Sequence, residues 1–232
     1  MLLNQLIKDG KGKTVFSTPD ARVLIQYKDT ITGHSDGISD PGGNRVIGAI
    51  PDSSHKYLNM TLALYQIFEE AGIRVAQWER ISIDQIKVEF LDLIPVEVIC
   101  RNRATGSFLR RYGPYVREGQ ALRGLIEFTL KNDSLGDPLI VEDALVLLGF
   151  LNRDEIHSIK SYSTQTNDTL QTLCASLGIE LWDFKLEFGR RLDGTLVLRD
   201  ELSTRTARFY RNGSLLGIDE LYNLFRDKDL VA

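Results

Sequence analysis

Alternating apolar and polar positions first appear at residues 13–28, where Lys-Thr-Val-Phe-Ser-Thr and Arg-Val-Leu-Ile-Gln-Tyr flank a Pro19-Asp20 turn. That pattern predicts two strands. Residues 30–54 are rich in Gly, Ser, Asp and Pro and lack any hydrophobic period, so a long loop is expected there, functional or disordered. Over 58–71 an apolar stripe of Leu58, Leu62, Leu64, Tyr65 and Phe68 predicts a helix that stops at Gly72. Segments 73–78, 86–91 and 95–101 read as strands, 107–112 as a short helix and 126–130 as a further strand. Pro138 opens an extended or turn segment leading to a helix over 142–149. Asn152, with Asp154 and Glu155 just behind it, caps a long helix that runs to Leu177-Gly178. A last short helix is expected at 219–225. Strands dominate the first ninety residues, and helices plus a hairpin the remainder. The order predicts an α+β fold of two lobes with antiparallel sheets, 1–90 and 91–232.

The hairpin carries the most information. In Ile179-Glu-Leu-Trp-Asp183-Phe-Lys185-Leu-Glu187-Phe-Gly189, Asp183, Lys185 and Glu187 share one face, while Phe184, Leu186 and Phe188 share the other. Asp193-Gly194 is a turn signal, and folding the chain symmetrically about it sets Glu187 opposite Asp200. Facing carboxylates repel, and hard oxygen ligands in small number suit Mg²⁺ shared with a nucleotide's phosphates. The alternative is a solvated face whose charges are kept apart by register or a bulge.

Composition narrows the field. With 28 basic and 32 acidic residues the formal net charge is −4, which argues against a nucleic-acid surface. Cys100 and Cys174 lie in apolar segments and read as packing residues. His34, His55 and His157 show no metal spacing and no triad partner. The apolar stretch at the start is too short and interrupted for a signal peptide or a membrane span, so a cytoplasmic location is expected.

Three further clusters could bind anions. Gly10-Lys11-Gly12-Lys13 offers close backbone approach and two positive charges, but lacks the spacing of a Walker A loop and could equally be a flexible basic turn. Leu93-Ile-Pro-Val-Glu97-Val-Ile-Cys-Arg101-Asn-Arg-Ala-Thr-Gly106-Ser107 ends a strand in an arginine and then sets a hydroxyl at a helix start; Arg101 either grips an anion or faces water. Ser203-Thr204-Arg205-Thr206-Ala207-Arg208 follows Asp200-Glu201 and reads as an anion-binding edge or a surface salt-bridge cluster. Together they make the inventory of a phosphoryl-transfer enzyme with an anionic co-substrate.

The segments 93–107 and 181–189 closely resemble the two signatures of the SAICAR synthetase family. Gly10-Lys11-Gly12-Lys13, Ser35-Asp36-Gly37, Lys131-Asn-Asp133, Asp137-Pro138-Leu-Ile-Val-Glu142 and Asp200-Glu201-Leu-Ser203 support it in the same order along the chain. The resemblance implies a two-lobed fold with ATP in the cleft between a nucleotide-binding lobe, 1–90, and a lobe carrying metal and substrate sites, 91–232. It implies a ligase of purine biosynthesis that joins L-aspartate to carboxyaminoimidazole ribotide through an acyl phosphate. By position, Lys11 and Lys13 would hold ATP phosphates, Glu187 and Asp200 Mg²⁺, and Arg101, Ser107, Arg208 and Ser203 the ribotide. Lys185 would sit near the transferring group and Asp36 near the substrates, with the adenine against the Ile86-Lys87-Val88 edge. A homo-oligomer is compatible with the family.

One departure inverts a charge. Where the family reads Ser-Pro-Asp, this chain has Ser203-Thr204-Arg205. Two other readings therefore stay open: a related amide ligase with a different azole acid or amine, in which Arg205 recruits an extra anion, and a non-catalytic nucleotide-binding protein.

Overall fold

The computed structural model describes residues 4–33, 40, 41, 43 and 45–231. In chain order the elements are β1 Gln5–Asp9, β2 Lys13–Ser17, β3 Val23–Tyr27, β4 Thr30–Gly33, β5 Arg45–Ala49, α1 Ser54–Glu70, β6 Trp78–Arg80, β7 Gln85–Val88 and β8 Asp92–Arg103. There follow α2 Gly106–Tyr112, β9 Ala121–Leu130, α3 Glu142–Leu147, α4 Arg153–Ser176, β10 Glu180–Arg190, β11 Leu196–Arg199, β12 Ala207–Arg211, β13 Ser214–Leu215 and α5 Ile218–Arg226. The α+β expectation with antiparallel sheets holds. One sheet runs β1-β2-β3-β7-β6; another runs β13-β12-β10-β8-β9, with β11 also paired to β10; β4 and β5 form a separate pair.

The sidedness of β10 follows from its alternation. Phe184, Leu186 and Phe188 are buried in the main core with Val96, Val98 and Cys100 of β8, Ile156, Ile159 and Leu170 of α4, and Leu58, Leu64 and Phe68 of α1. Asp183, Lys185 and Glu187 therefore point to the other face, beside Glu97 and Arg101 of β8. One sheet thus has an oily side under α4 and a charged side. Both cysteines are buried and free, and burial pushes their thiols up to about 12.

Along one edge, β10 changes partners between Phe184 and Glu187. Its first half pairs with β12, its second with β11. Residues 200–206 connect those two strands across the split, with Lys185 N–H donating to the Thr206 carbonyl at 2.7 Å. This split delivers Asp200 to the charged face.

Several expectations need correction. Residues 73–78 are not a strand: Val75 makes only an isolated parallel bridge to Leu198, and β6 starts at Trp78. The β1 strand escapes a pattern reading because all five of its residues are exposed, leaving no apolar alternation to detect. Helix α1 starts at Ser54, ahead of its apolar stripe, because a remote carboxylate caps it: Asp29 accepts from Ser54 N at 2.8 Å. Strand β9 reaches back to Ala121 through positive φ values at Arg123 and Gly124, which break its alternation. The central correction is the hairpin register. Arg191 N donates to Thr195 O and Gly194 N to Arg191 O, both at 2.9 Å, and Gly194 has φ +83°. The turn therefore holds three residues rather than two, and Glu187 pairs with Arg199, not Asp200.

The cap of α4 is reciprocal as expected: Asn152 Oδ1 accepts from Glu155 N at 2.9 Å, and Glu155 Oε2 accepts from Asn152 N at 2.8 Å. Arg190 Nε also donates to Glu155 at 2.5 Å; this bond leads the causes that hold the Glu155 carboxyl below its ordinary 4.5. Asn152→Ala should cost about 1 kcal/mol in urea unfolding. A depressed carboxyl stabilises above its unfolded pKa and loses that contribution as pH falls through the folded one. The deficit of Glu155→Gln should therefore be full at pH 7 and shrink in acid, and a deficit independent of pH would refute the linkage.

Candidate active site

The charged face of the six-stranded sheet holds two adjoining clusters. In the first, Glu97 of β8 and Glu187 of β10 stand directly opposite one another. Like charges so placed repel, and Lys185 offsets this by donating to Glu187 Oε1 at 2.7 Å and to Glu97 Oε1 at 3.3 Å. The same ammonium reaches Asp200 Oδ2 at 3.4 Å. Lys131 bonds the other oxygen of Glu187, and Lys13 bonds Asp200 Oδ1 and lies 3.2 Å from Glu201 Oε2. Arg199 stands 3.9 Å from Glu187 and 3.8 Å from Asp200.

Burial alone would push Lys185 down, yet Glu187, Asp200 and Glu97 outweigh it and hold the ammonium well above its ordinary range. Burial would push Asp200 up, but Lys13, Lys185, Lys131 and Arg199 hold it well below the usual carboxylate value. Glu187 is lowered too, against burial and the charge of Asp200, by Lys185, Arg199 and Lys131. Glu97 goes the other way: burial raises it and Lys185 does not fully compensate. Asp200 has φ +76°, and Tyr65 Oη of α1 donates to its carbonyl at 2.5 Å.

In the second cluster Asp183 lies between two buried guanidiniums. Arg101 Nη1 donates to Asp183 Oδ2 at 2.9 Å, Nη2 to Ser107 Oγ at 2.8 Å and Nε to Glu127 Oε2 at 2.5 Å. Arg208 Nη1 donates to Asp183 Oδ1 at 2.8 Å and Oδ2 at 2.7 Å, while Nη2 bonds Asp40. Arg101 is 1% exposed, so the water-facing alternative falls. Gly106 has φ +51°, and a Cβ there would stand 2.4 Å from Arg208 Nη2; only glycine lets the backbone pass.

The structure thus brings Lys13, Lys185, Glu187 and Asp200 into one cluster, and Arg101, Ser107 and Arg208 into its neighbour. Lys11, on the turn closed by Gly10 N to Lys13 O at 2.9 Å, pairs with Asp133 at 3.1 Å. Ser203 lies fully buried, donating to Glu201 at 2.7 Å and accepting from Arg205 N at 3.2 Å, so it shapes the 200–206 loop and offers no hydroxyl outward. Lys87 and Val88 lie apart from these clusters. Strand β7 is flanked by β3 and β6, so Ile86-Lys87-Val88 lies inside its sheet, and Lys87 pairs with Asp20 at 3.3 Å. Asp36 lies outside the described residues.

Sequence reasoning gave no role to Glu97, Lys131, Asp183 or Arg199. The signal for Glu97 was available, since alternation along β8 puts it on the Arg101 face. Lys131 and Arg199 carry no such signal, because their partners are set by which strands pair. Among the described residues no three His, Cys, Asp or Glu side chains converge to ligate an ion unaided. Two oxygen donors on Glu187 and Asp200 do fit Mg²⁺ held jointly with phosphate oxygens, the usual mode for that ion.

Comparison with known proteins identifies relatives along nearly the whole chain. The SAICAR synthetase family model matches residues 6–231. A phosphoribosylaminoimidazole-succinocarboxamide synthase from Clostridium tetani is 36% identical over 215 residues, 91% of this chain and 94% of that protein. One from Chlorobium phaeovibrioides is 38% identical over 214 residues, 90% and 85% of the two chains. Among solved structures, the Ehrlichia chaffeensis synthase superposes with a TM-score of 0.83 at 28% identity, covering 97% of this chain and 94% of the other. A SAICAR synthetase in complex with ADP gives 0.80 at 30% identity, covering 96% and 90%. With a family model matched along nearly its whole length and relatives above 30% identity over most of both chains, the chain belongs to the SAICAR synthetase family.

Proposed function

We propose that this chain couples ATP cleavage to amide formation between L-aspartate and carboxyaminoimidazole ribotide, releasing SAICAR, ADP and phosphate. The observation that carries the reading is Lys185 held between Glu97, Glu187 and Asp200, next to the Arg101–Asp183–Arg208 cluster. It joins a cation-rich acidic centre suited to a metal triphosphate to an arginine-lined neighbour suited to an anionic substrate.

In this reading the azole carboxylate attacks the γ-phosphorus, the bond to the ADP oxygen breaks, and an acyl phosphate results. The aspartate amine then adds to the acyl carbon, phosphate leaves, and the amine gives up a proton. The protein mainly positions groups and neutralises charge. Lys11 and Lys13 hold the phosphates, and Lys185 faces the group in transfer. Glu187 and Asp200 would hold Mg²⁺, which when bound neutralises phosphate charge. Arg101 fixes Ser107 and Asp183, while Arg208 and Ser107 face the ribotide, and Asp36 is assigned to the same region.

Adenine is placed against the side chains of Lys87 and Val88. Val88 pairs with Val23, which pairs with Ser17, four residues along β2 from Lys13. That is about 13 Å along the strands and about 10 Å across two strand spacings, roughly 16 Å in all, within reach of an extended nucleoside triphosphate and the Lys13 side chain. The nucleotide would then lie where the lobes 1–90 and 91–232 meet. Five-stranded and six-stranded sheets drawn wholly from residues 5–88 and 92–215 support that division.

The direct test is ADP release with carboxyaminoimidazole ribotide, scanning candidate amines; turnover with aspartate is expected, and none with any amine would remove the reading. Glu187→Gln and Asp200→Asn should each lower kcat about 100-fold or more while circular dichroism stays native. Unchanged turnover in both would remove the metal assignment. Arg208→Ala should raise the ribotide KM at least about tenfold, the weight of one charge-assisted hydrogen bond, and leave the ATP KM within about twofold; equal effects on both would place Arg208 elsewhere in the reaction.

A further inference from the structure

Arg205, the residue that inverts the family's charge, does not face an incoming anion. It is 8% exposed, and its guanidinium lies 3.6 Å from the Tyr57 ring centroid. Nη1 donates to the Gly12 carbonyl at 3.1 Å, and Nη2 to the Thr30 carbonyl at 2.7 Å and also to that of Lys28. Both terminal nitrogens are thus engaged by backbone on the Gly10–Lys13 turn and the segment beside it. Nε is buried without a partner. The sequence expectation that Arg205 recruits an extra anion is therefore overturned.

These contacts join distant parts of the chain. Arg205 sits on the loop that carries Asp200 and Glu201; its three carbonyl partners lie at 12, 28 and 30. Gly12 O also accepts from Lys28 N at 3.0 Å, and Thr30 Oγ1 donates to Lys11 O at 2.6 Å, so the turn is tied at two successive carbonyls. Glu201 Oε2 stands 3.6 Å from Arg205 Nη1 and 3.2 Å from Lys13 Nζ. Arg205 thereby shares the carboxylate that competes for Lys13. The fit is close: a Cβ on Gly12 would lie 3.0 Å from Arg205 Nη1.

We infer that Arg205 is a positioning residue for ATP: its planar fork straps the Gly10–Lys13 turn to the 200–206 loop and sets Lys13 at the height where the phosphates bind. The inference rests on the reading that Lys13 contacts ATP phosphates. An aspartate at this position could accept but not donate, so it could not hold three carbonyls. A lysine ammonium is a compact charge that lacks the fork and stacks less well on Tyr57.

The test is a double-mutant cycle on the full chain, reading the KM for ATP and for the ribotide. Arg205→Met should raise the ATP KM about tenfold, the effect of about one charge-assisted hydrogen bond, with the ribotide KM within twofold. Arg205→Lys should recover less than half of that loss. Lys13→Met should raise the ATP KM by itself, and adding Arg205→Met to it should change the value less than twofold, because the strap acts through Lys13. An ATP KM unmoved by Arg205→Met, or a full second penalty on top of Lys13→Met, would overturn the strap. An ATP KM unmoved by Lys13→Met would instead overturn the phosphate role of Lys13, and the strap's purpose with it. Should Arg205→Met fail to fold, Gly12→Ala presses on the same guanidinium without removing it; a severalfold rise in the ATP KM alone is expected, and no rise would count against the inference.

Discussion

One lysine between three carboxylates organises this molecule. Glu97 and Glu187 face each other across adjacent strands, an arrangement that by itself would loosen the sheet. Lys185 reverses the sign, and Lys131, Lys13 and Arg199 complete the compensation. Breaking one member of such a buried set typically costs about 3–5 kcal/mol because the partner is left uncompensated. Among the described residues five cations, with Arg205 the fifth, meet four carboxylates, Glu97, Glu187, Asp200 and Glu201.

Such a concentration of charge is tolerable because the sheet is two-faced. Period-two alternation in β8 and β10 sends Val96, Val98, Phe184, Leu186 and Phe188 to the core beneath α4, and sends Glu97, Arg101, Asp183, Lys185 and Glu187 to the opposite side. The change of partner along β10, from β12 to β11, then opens a gap where residues 200–206 can reach in. Strand pairing continuous along that edge would have put Asp200 elsewhere.

Much of this was legible beforehand. The Asn152 cap, the apolar stripe of α1, the pair β2–β3 and the sidedness of β10 all come from local patterns, and local patterns survive folding. The resemblance singled out Arg101, Ser107, Lys185, Glu187 and Asp200, and the structure sets them in two adjoining clusters. What escaped depended on distance in sequence or on a single residue. Adding Leu192 to the turn moves Glu187 from Asp200 to Arg199, yet the two carboxylates still meet, through Lys185 and not through a ladder pair. Asp29 caps α1 from 25 residues upstream of Ser54, and no local motif announces it. Arg205 looked like a recruiter of an extra anion because neither Tyr57 nor the carbonyls of Gly12 and Thr30 lie near it in sequence.

Asp200 sits in a backbone region that most side chains avoid, with Tyr65 gripping its carbonyl from α1. Asparagine and glycine share that tolerance; glutamate does so far less. The choice of acid at this position is therefore made by the main chain before any chemistry is considered. Substituting the longer acid would preserve the formal charge and still spoil the corner, so conservation of charge is a poor guide to what this position accepts.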